Sequence, residues 1–157
     1  MKKTTRATQF LSKKGIDFKV IQYKHDEKGA EFASKATGFP LERTIKTLVA
    51  DLGSGKYVLA MMPGDRQLSL KNLAKASSAK KAVMADTGNA ERITGYLVGG
   101  ISPFGIRQKV PAVMDISLLE YDSVVINAGQ RGVMLQMSPK DIIKVLNCKA
   151  ADLAHNP

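Results

Sequence analysis

The chain has 157 residues, 44% of them hydrophobic, with one cysteine and two histidines, which is enough to bury a core and excludes an intrachain disulfide framework. Lys and Arg number 24 against 14 Asp and Glu, a net charge of +10 that disfavours an acidic-protein role. It favours a polyanionic partner such as RNA or DNA, with solvated helix faces as the plain alternative.

No apolar h-region follows the basic N-terminus and no apolar run reaches spanning length, so a soluble, cytoplasmic protein without membrane contact is expected. No repeat or low-complexity linker divides the sequence, and residues 1–157 read as a single domain.

In chain order, Thr4 or Thr5 caps a first helix carrying Ala7, Phe10 and Leu11, which Gly15 stops. Residues 16–23 alternate as a strand with Ile16, Phe18 and Val20 inward. Lys24 to Gly29 is a polar loop, Glu31 to Thr37 a short helix ended by Gly38, and Phe39-Pro40 a turn. Thr44 to Asp51 is branched and apolar, as in a strand. Leu-Gly-Ser-Gly ahead of Lys56 to Met62 then predicts an antiparallel hairpin. On a period of two, Lys46 shares a face with Leu48 and Ala50, while Ile45, Thr47 and Val49 take the other. Two readings of this cation stand side by side: a side chain snorkelling out at the strand end, or a functional charge.

Ser69 caps a helix carrying Leu70, Leu73 and Ala74, Lys80 to Ala85 returns as a short strand, and Asp86 caps a small helix through Arg92 that Gly95 ends. Pro111 to Ile116 and Asp122 to Asn127 are strands joined by a short Ser-Leu-Leu-Glu turn. Residues 128–132 connect tightly to a strand from Val133 to Met137. Ser138-Pro139-Lys140-Asp141 starts the last helix, with proline at its first position and an acid three residues after the cap. Ile142, Ile143, Val145 and Leu146 dock it. Strands in hairpin-like runs broken by helices predict a single α+β domain with a mainly antiparallel, barrel-like sheet surrounded by helices. Lys71 and Lys75 lie four apart, as do Lys140 and Lys144, so each pair shares a helix face.

The stretch from Thr94 to Gly105, Thr-Gly-Tyr-Leu-Val-Gly-Gly-Ile-Ser-Pro-Phe-Gly, is the densest punctuation in the sequence. Its glycines admit left-handed backbone and close approach of a ligand, and Pro103 fixes one φ. Amides freed in such a loop cradle a phosphate, or a carbonyl oxygen that becomes negative during reaction. An ordinary Gly/Pro turn is the alternative, and neither the dinucleotide fingerprint nor the P-loop is present.

Other chemistries find little footing. His25 and His155 are far apart and no His/Cys/Asp cluster has ligand spacing, so no metal and no cofactor is expected. Cys148 follows the apolar face of the last helix as a buried thiol does. No nucleophile elbow exists for a Ser-His-Asp triad. What remains is a cation and a loop of amides, sufficient only if water or the substrate itself attacks.

Thr44-Ile-Lys-Thr-Leu-Val, the Thr94–Gly105 loop and Ala-Gly-Gln-Arg-Gly, in this order and spacing, resemble the YbaK/EbsC family of aminoacyl-tRNA deacylases, nearly end to end. The resemblance is greatest to the free-standing branch that removes cysteine from mischarged proline tRNA. Related modules are the editing insertion of bacterial prolyl-tRNA synthetase and free-standing alanyl-tRNA(Pro) deacylases. The resemblance implies that mischarged tRNA(Pro) is the partner, with prolyl-tRNA synthetase as a further candidate. It puts the essential lysine at Lys46 and the Gly-x-x-x-Pro loop at Gly99 to Pro103. It also implies attack by the thiol of the mischarged cysteine on its own ester carbonyl. Lys46 would then anchor the tRNA 3′ end and offset charge, and amides around Gly100, Ile101 and Ser102 would hold the carbonyl oxygen. Tyr23, Phe32 and Thr47 would line the pocket, Gly129 and Arg131 its rim, with plain core packing the alternative for Tyr23 and Phe32. Two departures bear on amino-acid preference: Asn127-Ala128-Gly129 replaces the usual Ser-Gly-Gly, and Met62-Pro-Gly-Asp-Arg differs from the branch. They keep alanine, or another small residue, open as the amino acid removed. A tRNA- or synthetase-binding accessory module without turnover is the reading from a different class.

Overall fold

A computed structural model describes residues 4–24 and 29–155. His25, Lys2, Lys3 and most of the loop expected between Lys24 and Gly29 lie outside the described residues. Helix α1 (Arg6–Lys13) begins where Thr5 and Thr8 exchange side-chain and amide hydrogen bonds of 3.2 and 2.8 Å, a reciprocal cap that satisfies two otherwise orphaned donors. The same logic starts three later helices. Ser69, Asp86 and Ser138 accept from the amides of Asn72, Asn89 and Lys140 at the heads of α3 (Leu70–Ala76), α4 (Thr87–Thr94) and α5 (Pro139–Leu146). Helix α2 (Ala30–Thr37) stops at Gly38 in the left-handed region.

Only part of the expected first strand enters a ladder, as β1 (Lys19–Gln22), although Ile16 and Phe18 still pack on the core. The hairpin of β2 (Ile45–Gly53) and β3 (Lys56–Pro63) forms as its sequence demands, with Ser54 and Gly55 both at positive φ in the two-residue turn. Of residues 80–85, β4 (Val83–Met84) alone is extended and paired. Then follow β5 (Ala112–Asp115), β6 (Val124–Gln130) and β7 (Val133–Met137). A short β8 (Lys149–Ala151) after α5 carried no sequence signal.

The strands sort into two sheets, β1-β7-β6 and β4-β2-β3-β5-β8. Pairing is antiparallel except for β3–β5 and β5–β8. The α+β class therefore holds, but the sheet does not close into a barrel. The segment expected as a turn between β5 and β6 is a 3-10 helix, Ile116–Glu120, that carries the chain from one sheet to the other. The main core lies between the sheets, joining Ile45, Val49, Leu59, Met61 and Met114 to Val124, Ile126, Val133 and Leu135. Leu73 and Ala74 of α3 cover the outer face of the larger sheet, and Ala33 of α2 covers that of the smaller.

One consequence of the open architecture positions the site. Strand β2 touches the smaller sheet through a bridge between Thr44 and Val125, and meets β4 at Ala50 and Asp51. Between those points, Lys46, Thr47 and Leu48 have no strand partner on the side away from β3, among the described residues. A cavity of about 310 Å³ opens there.

Candidate functional site

Because the cavity runs along a strand edge, it collects residues from both faces of β2: Ile45, Thr47 and Val49 from the core side, Lys46 and Leu48 from the other. Opposite them stand Val98, Gly99 and Ile101 of the glycine loop, with Asn127 on β6 and Tyr23 beyond β1. Lys46 and the loop thus share one cavity, across the gap that a closed barrel would have filled.

Lys46 is partly buried, and burial holds its ammonium below the usual lysine range, with the carboxylates of Asp65 and Glu31 pulling it back upward. Beside it, the Thr47 side chain is 8% exposed and its hydroxyl has no hydrogen-bond partner among the described residues. A buried hydroxyl left in that state forfeits its hydration, which is recovered when a polar ligand binds. Tyr23 anchors its amide to the Gly132 carbonyl at 2.9 Å and tilts its ring against Phe32; burial raises its phenol above the ordinary tyrosine range.

The glycine loop is pinned from three directions. Arg6 of α1 donates to the carbonyls of Gly95 and Gly105 at 3.3 and 3.2 Å and lies over the Tyr96 ring. The Tyr96 hydroxyl donates to the Phe104 carbonyl. Glu91 accepts from the Val98 amide at 2.8 Å, and Arg131 donates to the Val98 carbonyl. Gly99, at φ +97°, turns the chain where other residues are strained. Gly100 serves differently, since a Cβ there would stand 3.1 Å from the Gln130–Arg131 backbone of the β6–β7 turn.

These contacts divide the twelve residues singled out from the sequence. Tyr23, Lys46, Thr47, Gly99, Ile101 and Asn127 line the cavity. Phe32 stands behind Tyr23 rather than on the wall. The Gly100 amide is already donated to the Leu97 carbonyl at 2.9 Å, so it is not the free donor expected of it. Ser102 and Pro103 are buried inside the loop, and Ser102 Oγ accepts from the Phe104 amide at 3.3 Å. Gly129 lies against the Tyr96 ring, and Arg131 lies exposed beside Gly99. On the cavity wall the amides of Gly99 and Ile101 make no hydrogen bond to a described residue; the Ser102 amide is also unbonded, but Ser102 is buried inside the loop and does not line the cavity. Arg6, Glu91 and the wall residues Met84, Ala85 and Thr87 were not foreseen, because nothing local distinguishes them.

Among the described residues no group of three or more His, Cys, Asp or Glu is arranged to hold a metal ion, and no helix is long and apolar enough to cross a membrane. The arrangement offers a cation, an unpartnered hydroxyl, loop amides and an unpaired strand edge around a space for a small polar group. The cavity's described lining includes no Cys, Ser, His, Asp or Glu.

Similarity to known proteins agrees with this geometry. The profile of the family described as "Aminoacyl-tRNA editing domain" matches residues 24–145. EbsC of Enterococcus faecalis, whose name proposes a Cys-tRNA(Pro)/Cys-tRNA(Cys) deacylase, is 31% identical over 95% of this chain and 92% of its own. The multifunctional Ser/Thr-tRNA deacylase ProXp-y of Escherichia coli is 29% identical over 89% of this chain and 86% of its own. A crystal structure described as that of a proposed trans-editing enzyme for prolyl tRNA synthetase shares the fold, with a TM-score of 0.87, 24% identity and 96% of each chain covered. With a cavity built around Lys46 and the Gly99–Ile101 loop, and a match across most of its length, the chain belongs to the aminoacyl-tRNA editing domain family.

Proposed function

We propose that this protein clears mischarged tRNA by removing cysteine from Cys-tRNA(Pro), using the substrate's own thiol. The observation that carries the proposal is the meeting of Lys46, Thr47 and the Gly99–Ile101 loop on one cavity that offers no nucleophile of its own. In the reaction, the cysteine sulfur attacks the ester carbonyl, the S–C bond forms and the ester C–O bond breaks. The ribose oxygen leaves as a hydroxyl, taking up the proton the thiol has lost, and the amino acid departs as a thiolactone. Lys46 holds the negatively charged 3′ end of the RNA and offsets charge developing beside it. The unbonded Gly99 and Ile101 amides on the cavity wall receive the carbonyl oxygen as it becomes negative. The hydroxyl of Thr47 meets the polar side chain or amine of the aminoacyl group. Prolyl-tRNA synthetase is then the enzyme whose errors are removed.

The name of ProXp-y and the unpartnered Thr47 hydroxyl favour a second reading, serine or threonine as the amino acid, with water attacking. A deacylation panel of Cys-, Ser-, Ala- and Pro-tRNA(Pro) separates the two. Turnover confined to the cysteinyl species supports self-attack. Equal turnover of the seryl species replaces it with hydrolysis, and no turnover of any species leaves an RNA-binding accessory module.

A further inference from the structure

The net charge of +10 is not spread evenly. From Arg66 to Ala85 the chain carries Arg66, Lys71, Lys75, Lys80 and Lys81 and no acidic residue at all. Lys71 and Lys75 lie one turn apart on α3, and the chain then doubles back so that both line a single open groove with Lys80, Lys81 and Ala82. All four lysines are exposed. The next acid, Asp86, is engaged in capping α4 through the Asn89 amide.

Strand β4 links this groove to the cavity along the chain. Ala82 lines the first, Met84 and Ala85 wall the second, and the residues between are extended, so groove and cavity lie roughly 7 Å apart along the chain. At the junction, Val83 and Met84 are 41% and 46% exposed, and Leu97, next to Val98 on the cavity wall, is 70% exposed. Apolar surface so placed suits the unstacked bases of a single-stranded end, while the lysines suit the phosphates just behind them. Another groove with several cations, Lys14, Arg107 and Lys109, shares no residue with the cavity.

We infer that the lysines of the α3–β4 segment form the track along which the phosphate backbone of an acceptor-stem RNA runs, delivering its 3′ end past Met84 into the Lys46 cavity. This rests on the editing function proposed above and assigns the RNA-binding surface that such a function requires. Ion-pair neutralisation at four phosphates steepens the dependence of affinity on salt by roughly 0.9 per contact.

Binding of an uncharged acceptor-stem minihelix is measured across a salt series for the wild-type chain, for K71Q/K75Q/K80Q/K81Q, and for K14Q/R107Q/K109Q/K149Q, which removes the same formal charge elsewhere. The track variant is expected to lose at least tenfold in affinity at low salt and roughly 3–4 in the log–log slope, with the control variant close to wild type. Equal losses in both variants, or no loss in the first, overturn the inference. Cleavage of an aminoacyl adenosine ester, which lacks the stem phosphates, is measured alongside. Unchanged cleavage by the track variant confirms its fold and limits the defect to the RNA. If wild type cleaves no ester, the editing function fails, while the binding comparison still decides the track.

Discussion

Arg131 donates from Nη2 and Nε to the Val98 carbonyl at 2.7 and 3.1 Å, so the β6–β7 turn grips the glycine loop at the residue before Gly99. The guanidinium is exposed, and it fits beside Gly99 because that residue has no Cβ, which would stand 2.5 Å from Nε. Arg131→Met keeps the bulk and removes both donors. It is expected to lower kcat, with a ceiling on the order of 10²-fold for a displacement of about 1 Å, while the melting temperature moves by no more than about 2 °C, as for other exposed substitutions. Unchanged kcat in this variant would show that the loop holds its shape without the grip.

Gly129, two residues earlier at the register shift near the end of β6, is the steric counterpart. At φ +95° an L-residue is strained, and its Cβ would stand 2.5 Å from Cε1 of Tyr96. That ring is buried and tied through its hydroxyl to Phe104, so it has little freedom to yield. Gly129→Ala is expected to destabilise the fold by about 2–4 kcal/mol from backbone strain and overpacking together. Chemical denaturation measures it, and a loss below about 1 kcal/mol would mean that the backbone around Gly129 relaxes.

What sequence could and could not convey follows from how far apart the interacting residues lie. The helix starts at Thr5, Ser69, Asp86 and Ser138 and the β2–β3 hairpin are local, governed by caps and turn residues within a few positions. The same holds for the placing of Lys46 and Thr47 on opposite faces of β2. The division into two sheets is not local: β5 pairs in parallel with β3, some fifty residues earlier, and with β8, which has no pattern of its own. Competition for donors is equally invisible. The glycine pattern announces a loop with amides to spare, but only the fold reveals that Gly100 spends its amide on Leu97, and that Arg6 and Arg131 hold the loop from distant elements.

Lys46 bears both the proposed chemistry and a cost in stability. Its ammonium is held below the usual lysine value of 10.5 chiefly by burial, so in the folded chain the charged form is disfavoured relative to the unfolded chain. The penalty is present in full at neutral pH. Between the lowered value and 10.5 the unfolded chain binds more protons, and stability rises with pH. Activity runs the other way, because the working form is the charged one, and it falls as pH rises through the lowered value. Lys46→Met is therefore expected to lower turnover by on the order of 10²–10³-fold, as for loss of a transition-state donor, with a melting temperature at pH 7 equal to wild type or higher. A large drop in melting temperature would make the residue structural.

Thr47 makes a similar trade on a smaller scale. Its hydroxyl is buried without a partner among the described residues, so the side chain's polarity adds nothing to the empty fold. Thr47→Val keeps the shape and removes the unsatisfied group, and is expected to stabilise by about 1 kcal/mol, or about 2–4 °C in melting temperature. If the hydroxyl meets the aminoacyl group, the same variant loses turnover on the preferred polar amino acid while its activity towards Ala-tRNA changes less. Destabilisation by the substitution would show that the hydroxyl is bonded in solution.

Cys148 separates the protein's own thiol from the chemistry. Burial pushes it up to about 11, and it lines a groove with Ser77 and Leu146 that shares no residue with the Lys46 cavity. At pH 8 the thiolate fraction is then ~10⁻³, against about a quarter for a free cysteine near 8.5, so alkylation by iodoacetamide is expected to be on the order of 10²-fold slower than that of glutathione. Cys148→Ser is expected to leave deacylation unchanged, and thiol-directed inhibition of the reaction should then track the cysteine carried by the tRNA. Rapid alkylation of the folded chain accompanied by loss of activity would return the attacking sulfur to the protein, and with it the need for a nucleophile that the Lys46 cavity does not contain.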